Sequence, residues 1–321
     1  MDTPAPVLRP LADSDSERDP GLPARLGDAV PGLDEQRHRA DLAAGRCRPE
    51  WNWVAEVHGR VVARALWWGL PESRLPLALE CLQVDPSVPD RAGLAAALLR
   101  AGLADLAARG LDAPPPYTLV LDAGWRSDPA TAAAVDWRRE AARAVGLTEE
   151  LERLRYVWTP QDGLPAPAER LVLTPEPDDA VVLEVLQRVA QGSLDVDTRR
   201  DLEASGPEEQ ARGDLEFYRS MPGERSWWRL AHTRDGRLAG LAIPSRTAYG
   251  PNVGYLGVVP ELRGAGLVHE LLAEITRFHA ARGAERVTGT TDATNTPTAA
   301  AFARAGYRGA ELRLQLSCPR S

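Results

Sequence analysis

The stretch Val258-Val259-Pro260-Glu261-Leu262-Arg263-Gly264-Ala265-Gly266-Leu267-Val268 constrains this chain more than any other. An apolar run from Val253 to Val259 precedes it, and apolar residues at helical spacing follow from Leu267 to about Ala281. The order is therefore strand, glycine-bearing turn, helix. The first amides of a helix have no intrahelical partners and point outward, at the positive end of the macrodipole. Gly264 and Gly266 let the backbone approach a ligand with no Cβ in the way, and Arg263 adds a cation beside the same spot. The pattern describes a cradle for a pyrophosphate.

Two common phosphate motifs are excluded. A Walker loop requires lysine, and this chain has none; all 38 of its basic residues are arginine. The dinucleotide fingerprint G-x-G-x-x-G requires a third glycine, which does not follow Gly264 and Gly266 here. Downstream, Arg286 to Thr291 reads as a strand, and Thr296-Pro297 reads as the start of a short helix that Gly306-Tyr307 ends.

Loop and helix together resemble the GCN5-related N-acetyltransferases. Their acyl-CoA loop is a glutamine or arginine, two variable residues, a glycine, one more variable residue and then glycine or alanine; Arg263-Gly264-Ala265-Gly266-Leu267-Val268 matches except at Val268, where the family has a small residue. Their second signature, an asparagine, a short helix and a glycine-aromatic pair, matches Asn295 to Tyr307. The resemblance implies an α/β fold of two tandem domains. Each has a mixed, mostly antiparallel central sheet flanked by helices, with two central strands splayed apart, here about Gly254–Val259 and Val287–Thr291. It also implies acetyl-CoA as co-substrate, with Leu256, Gly257 and Val258 along the pantetheine and Arg263 to Val268, Asn295 and Phe302 in the cofactor site. Direct attack by an amine on the thioester would follow, with no metal. The family often places a proton-donating tyrosine seven residues after the asparagine; this chain has Phe302 there. Tyr255, His269 and Tyr307 are the alternative donors, and Asp292 and Glu216 the alternative bases. Asp292 could equally cap the short helix.

The first half repeats the same order of elements. The hairpin Trp51–Trp68 turns at His58-Gly59, as the hairpin Trp227–Pro244 turns at Asp235-Gly236; Pro86 corresponds to Pro260 and Gly146 to Gly306. This gives a degenerate domain over 1–160, a proline-bearing linker over 161–168 and a catalytic domain over 169–321. Asp90 in the first half stands where a phosphate would approach. Trp51, Trp53, Trp227 and Trp228 recur at one strand of each half and read as packing residues. Among tandem relatives the mycothiol synthases are similar in size and in having an active C-terminal half.

A net charge of −8 disfavours nucleic acid and anionic membranes as partners. Cys47, Cys81 and Cys318 have no metal-type spacing and suit a reduced, cytoplasmic setting. No apolar run approaches the roughly 20 residues that cross a bilayer. The all-arginine, alanine-rich composition suggests a GC-rich, bacterial coding background. The expected partner is a small-molecule or peptide amine, with the protein a monomer or homodimer. A non-catalytic acyl-CoA sensor and a protein N-acetyltransferase are the alternatives.

Overall fold

In the computed structural model of the protein, residues 5–11, 26–32, 34–176 and 178–319 are described. Part of the weakly helical stretch Ala12–Arg48 falls outside them.

Among the described residues two compact units emerge: those up to 151 together with 313–319, and those from 152 to 312. In the first, β1 (Val7–Pro10) and α1 (Glu35–Ala43) precede the hairpin β2 (Asn52–Val57) and β3 (Arg60–Trp68). His58 and Gly59 both take positive φ, 51° and 74°, as a two-residue hairpin turn requires. Then come β4 (Ala78–Val84), α2 (Arg91–Ala108), β5 (Tyr117–Leu121) and α3 (Pro129–Arg143). The strand order is β1-β2-β3-β4-β5, antiparallel except for β4–β5, which run parallel and share the single register pair Leu79↔Tyr117.

The second unit contains β6 (Glu149–Trp158) from Glu152 onward, β7 (Leu171–Pro175), α4 (Asp179–Ala190), α5 (Val196–Ser220), β8 (Arg229–Thr233) and β9 (Leu238–Thr247). It continues with β10 (Gly250–Val258), α6 (Val268–Ala280), β11 (Val287–Asp292) and α7 (Thr296–Arg304), and β12 (Arg308–Ser317) begins in it. The strand order is β6-β11-β10-β9-β8-β7, mostly antiparallel, with helices against the sheet. Both units thus follow the expected strand series, with one difference from the boundaries read in the sequence. From Glu152, β6 belongs to the second unit, and from Arg313, β12 belongs to the first. Here β6 lines up with β11 from Trp158↔Val287 to Arg153↔Asp292.

The chain from Val196 to Ser220 is not one continuous helix. Gly206 takes φ 79° and ψ 170°, and Pro207 follows it, so α5 is two helical segments joined at a kink. α6 is strongly one-sided: Leu271, Leu272, Ile275 and Phe278 are buried against the sheet.

β10 and β11 run parallel and register only at Asn252↔Thr288. Beyond that point they diverge, and β10 is irregular between Val253 and Tyr255. The vertex is pinned from the side. Asn252 Oδ1 accepts from Thr288 Oγ1 at 3.0 Å, and the Asn252 carbonyl accepts from His279 Nε2 at 3.1 Å. His279 is 2% exposed. Burial, helped by Arg246 and Arg282, pulls its pKa down to about 4, against the Asn252 contact. The folded chain therefore favours the neutral ring, whereas the unfolded chain protonates near the ordinary value. The stabilising contribution is complete above about pH 6.5 and is lost as pH falls towards 4; it amounts to roughly 3 kcal/mol. Urea unfolding at about pH 7.5 and 4.5 is expected to show a smaller acid loss of stability in His279→Gln than in the wild type. Equal losses would contradict this assignment. His38 in the first unit, also lowered to about 4 chiefly by burial, adds to the acid loss in both proteins.

Candidate acyl-CoA site

Gly264 and Gly266 take φ 78° and 73°, a region that other residues enter only with strain. They turn the chain from the short helical turn at Pro260–Leu262 into α6, whose first cap residue, Leu267, provides no side-chain cap. Among the described residues, the amides of Gly264, Ala265, Gly266, Leu267 and Val268 donate to no protein oxygen. Glu270, in the first turn, does not oppose an anion here. Its carboxylate is held by the amides of Glu169, Arg170 and Leu171 at 2.9, 2.8 and 3.1 Å and by Arg170 Nε at 2.5 Å.

The corresponding turn of the first unit is already filled. Asp90 caps α2, its Oδ1 accepting from the Gly93 amide at 2.8 Å. Asp85 is buried, and its Oδ1 accepts from the Ser87 amide at 3.0 Å while its Oδ2 pairs with Arg60 at 2.8 Å. Protein carboxylates occupy the place that an anion would take.

A cavity of about 1030 Å³ opens between the diverging strands of the second unit. Leu256, Gly257 and Val258 line one side, Thr290, Thr291 and Asp292 the other, and Gly264, Gly266, Leu267 and Val268 the helix end. Tyr255, Asn295 and Phe302 also reach it. Close packing sets the wall: a Cβ on Gly240 of β9 would fall on the Gly257 carbonyl oxygen and lie 3.2 Å from Val258 Cα. Gly240→Ala is expected to cost about 3 kcal/mol and lower the melting temperature by roughly 6 °C or more, because backbone rather than a flexible side chain must yield. Calorimetry checks this; an unchanged transition would mean that the strands are looser than drawn.

Several residues expected in the site behave differently. Arg263 offers no free cation. Its Nε donates to the Val258 carbonyl at 3.1 Å, Nη1 to Gln191 and Gly192 at 2.7 and 2.9 Å, and Nη2 to Val189 at 2.5 Å. It ties the loop to the negative C-terminal end of α4. Asn295, rather than Thr296, caps α7, its Oδ1 accepting from Thr298 N at 3.3 Å. Asp292 caps no part of that helix. It is 1% exposed, with Oδ1 accepting from Arg153 Nε at 3.1 Å and Oδ2 from the Val196 amide at 2.7 Å. Burial lifts its pKa, against the pull of the Val196 amide and Arg153.

Glu216 is exposed and Ala265 points elsewhere; neither side chain lines the cavity. His269 is also outside it, with Nε2 2.6 Å from Arg304 Nη1. Tyr307 is a core residue, its hydroxyl 2.8 Å from Thr276 Oγ1. Phe302, 1% exposed, stacks on Tyr156 of β6 at 4.6 Å between ring centroids. Trp51, Trp53 and Trp228 are buried, and none of the four recurring tryptophans lines the cavity.

The sequence reading missed Arg153, Gln210, Asp214 and Tyr218. Arg153 reaches the cavity because β6 joins this sheet. Tyr218 of α5 packs against Tyr255, with ring centroids 5.2 Å apart. Burial, reinforced by Asp214, raises both phenols well above their ordinary pKa, so each keeps its proton at neutral pH. Among the described residues no group of three His, Cys, Asp or Glu side chains could hold a metal, and no helix is long and apolar enough to cross a membrane.

Splayed parallel strands followed by an uncapped glycine turn form an α/β arrangement whose helix start suits an anion. The family model described as "Acetyltransferase (GNAT) family" matches residues 195–307. That match lies within the second unit and leaves the first unit outside it. The crystal structure of a GCN5-related N-acetyltransferase from Sphaerobacter thermophilus has a TM-score of 0.57 at 19% identity, covering 97% of this chain and 94% of that one. A GCN5-related glucosamine N-acetyltransferase region of a fungal multi-domain GH3 β-N-acetylglucosaminidase has a TM-score of 0.55 at 16% identity, covering 97% of this chain and 38% of that one. Identities this low show likeness of fold. No curated protein matches the chain.

Proposed function

We propose that the second unit transfers an acetyl group from acetyl-CoA to the amine of a small molecule or peptide. The carrying observation is the row of five amides, Gly264 to Val268, left without acceptors at the start of α6. They suit a pyrophosphate, and the bare glycines keep the approach clear: a Cβ on Gly264 would meet nothing within 4 Å. The diverging edge of β10 at Leu256 to Val258 suits the pantetheine arm, and an amide there suits the carbonyl oxygen as charge develops on it. Acetyl-CoA, when bound, supplies the activated acetyl group.

The chain's own contribution is positioning and proton handling. The reacting nitrogen must arrive uncharged; its bond to the acetyl carbon forms as the carbon–sulfur bond breaks. The nitrogen then releases a proton, and the departing sulfur takes one. Tyr255 and Tyr218, held neutral, are the cavity's phenolic donors for that sulfur. They fill the role that Phe302 leaves open.

The first unit, whose turn is capped by Asp90, is assigned no turnover. Calorimetric titration with coenzyme A is the test. One site per chain is expected, together with amine-dependent thiol release from acetyl-CoA. Two sites, or none, would overturn the assignment.

A further inference from the structure

The cavity holds a second set of groups on α5, of which acetyl transfer as read above uses only Tyr218. Beyond the kink at Gly206-Pro207, α5 directs Gln210, Gly213, Asp214, Phe217 and Tyr218 to the cavity, the spacing of one helical face. Gln210 is 3% exposed although Glu208, Glu209 and Arg212 beside it are exposed. Its Nε2 donates to Asp214 Oδ2 at 2.6 Å, which fixes the amide orientation. Gln210 Oε1 is then left buried with no donor. An unmatched buried acceptor costs about 1–3 kcal/mol, so its retention points to a ligand N–H that completes it.

The charge balance of the lining points the same way. Asp195, Asp197, Asp201, Glu209, Asp214 and Asp292 face two guanidiniums, Arg153 and Arg263. Arg153 is engaged by Asp197 and Asp292, and Arg263 by four carbonyl groups. A small anionic acceptor would meet net repulsion here, and a cation net attraction.

Resting on the acetyl-transfer reading above, we propose that Gln210, Asp214 and Tyr218 seat a cationic nitrogen other than the one acetylated, so that the acceptor is a small amine carrying a second positive charge. The reacting nitrogen must shed its charge before it attacks. A monoamine would lose its electrostatic hold at that step, whereas a diamine keeps one. Asp214 and Gln210 Oε1 accept from the fixed ammonium, and the aromatic face of Tyr218 offers it a cation–π contact. The free amine then extends towards the gap between β10 and β11.

Three acceptors of equal length test this: 1,4-diaminobutane, n-butylamine and 4-aminobutanoate, each with saturating acetyl-CoA. The wild type is expected to favour the diamine over butylamine by about tenfold or more in kcat/KM, with the amino acid poorest. Gln210→Leu and Asp214→Asn should each remove about tenfold for the diamine, chiefly through KM, while the values for butylamine and acetyl-CoA stay within about twofold. A flat ranking in the wild type, turnover of none of the three with acetyl-CoA bound, or variants that depress all acceptors equally would overturn the proposal. Failure to bind coenzyme A by calorimetry would instead overturn the acetyl-transfer reading beneath it.

Discussion

A Gly264→Glu protein is expected to bind acetyl-CoA at least a hundredfold more weakly than the wild type, and to lose amine-dependent thiol release with it; about 3 kcal/mol separates the two states. The reasoning starts from the five unclaimed amides between Gly264 and Val268. Their partial positive charge is what an anion would find at the start of α6, and a carboxylate on Gly264 competes for the same place and repels the incoming phosphates. The first unit shows that arrangement already built, with Asp90 bonded to the Gly93 amide. Backbone strain accompanies the change, because Gly264 takes φ 78°. Gly264→Ala separates the two effects. It carries the strain, about 1–2 kcal/mol and a few degrees in melting temperature, without the charge. Alanine is expected to retain most of the affinity and glutamate almost none. Equal affinities for wild type and glutamate variant, measured by calorimetry, would place the pyrophosphate elsewhere.

The contrast between the two turns explains which parts of the molecule could be read in advance. Strand, glycine turn and helix are specified by neighbours in sequence, and residues 250–280 fold as their pattern demands. Where a guanidinium goes is a different matter. Arg263 is adjacent to the turn, yet its hydrogen bonds run to the end of α4, at Val189, Gln191 and Gly192, which local pattern cannot foresee. The exchange of β6 and β12 is equally hidden. Each is an alternating strand at the end of its half, and nothing in its own residues says which sheet it joins. That exchange brings Arg153 and Tyr156 to the second unit. The kink in α5 is legible in the sequence, because Gly206-Pro207 is a plain helix breaker that divides the stretch into two segments. With the break recognised, Gln210, Asp214 and Tyr218 fall on one face of the second segment. The burial of Gln210 within a charged sequence still comes from tertiary packing alone.

Asp292→Ala is expected to act on stability rather than as the loss of a proton acceptor. Asp292 has the features of a base: it lies on a strand bordering the gap, buried, with a raised pKa. Both of its oxygens are nevertheless committed. One receives Arg153 from β6 and the other receives the Val196 amide that opens α5. Removing the carboxylate leaves that amide without its side-chain acceptor and takes from Arg153 one of its acidic partners, while Asp197 stays paired with it. Breaking a buried pair of this kind costs about 3 kcal/mol, or roughly 6–10 °C in melting temperature for a unit of this size. The first turn of α5 should loosen as well, which amide exchange at Val196 to Thr198 would report. A general base behaves otherwise. Its loss lowers kcat by about 10²–10⁴ and removes the acidic limb of the pH–rate profile while the melting temperature holds. Asp292→Asn discriminates further, since an amide oxygen can still receive the Val196 amide but cannot pair with Arg153 as an ion. The expected order of melting temperatures is wild type, asparagine, alanine, with the pH–rate profile of the residual activity unshifted in both variants. A full-stability variant with kcat down a hundredfold would make Asp292 the base and leave the anchoring of α5 to Asp195, which caps its first turn through the Thr198 amide at 2.8 Å.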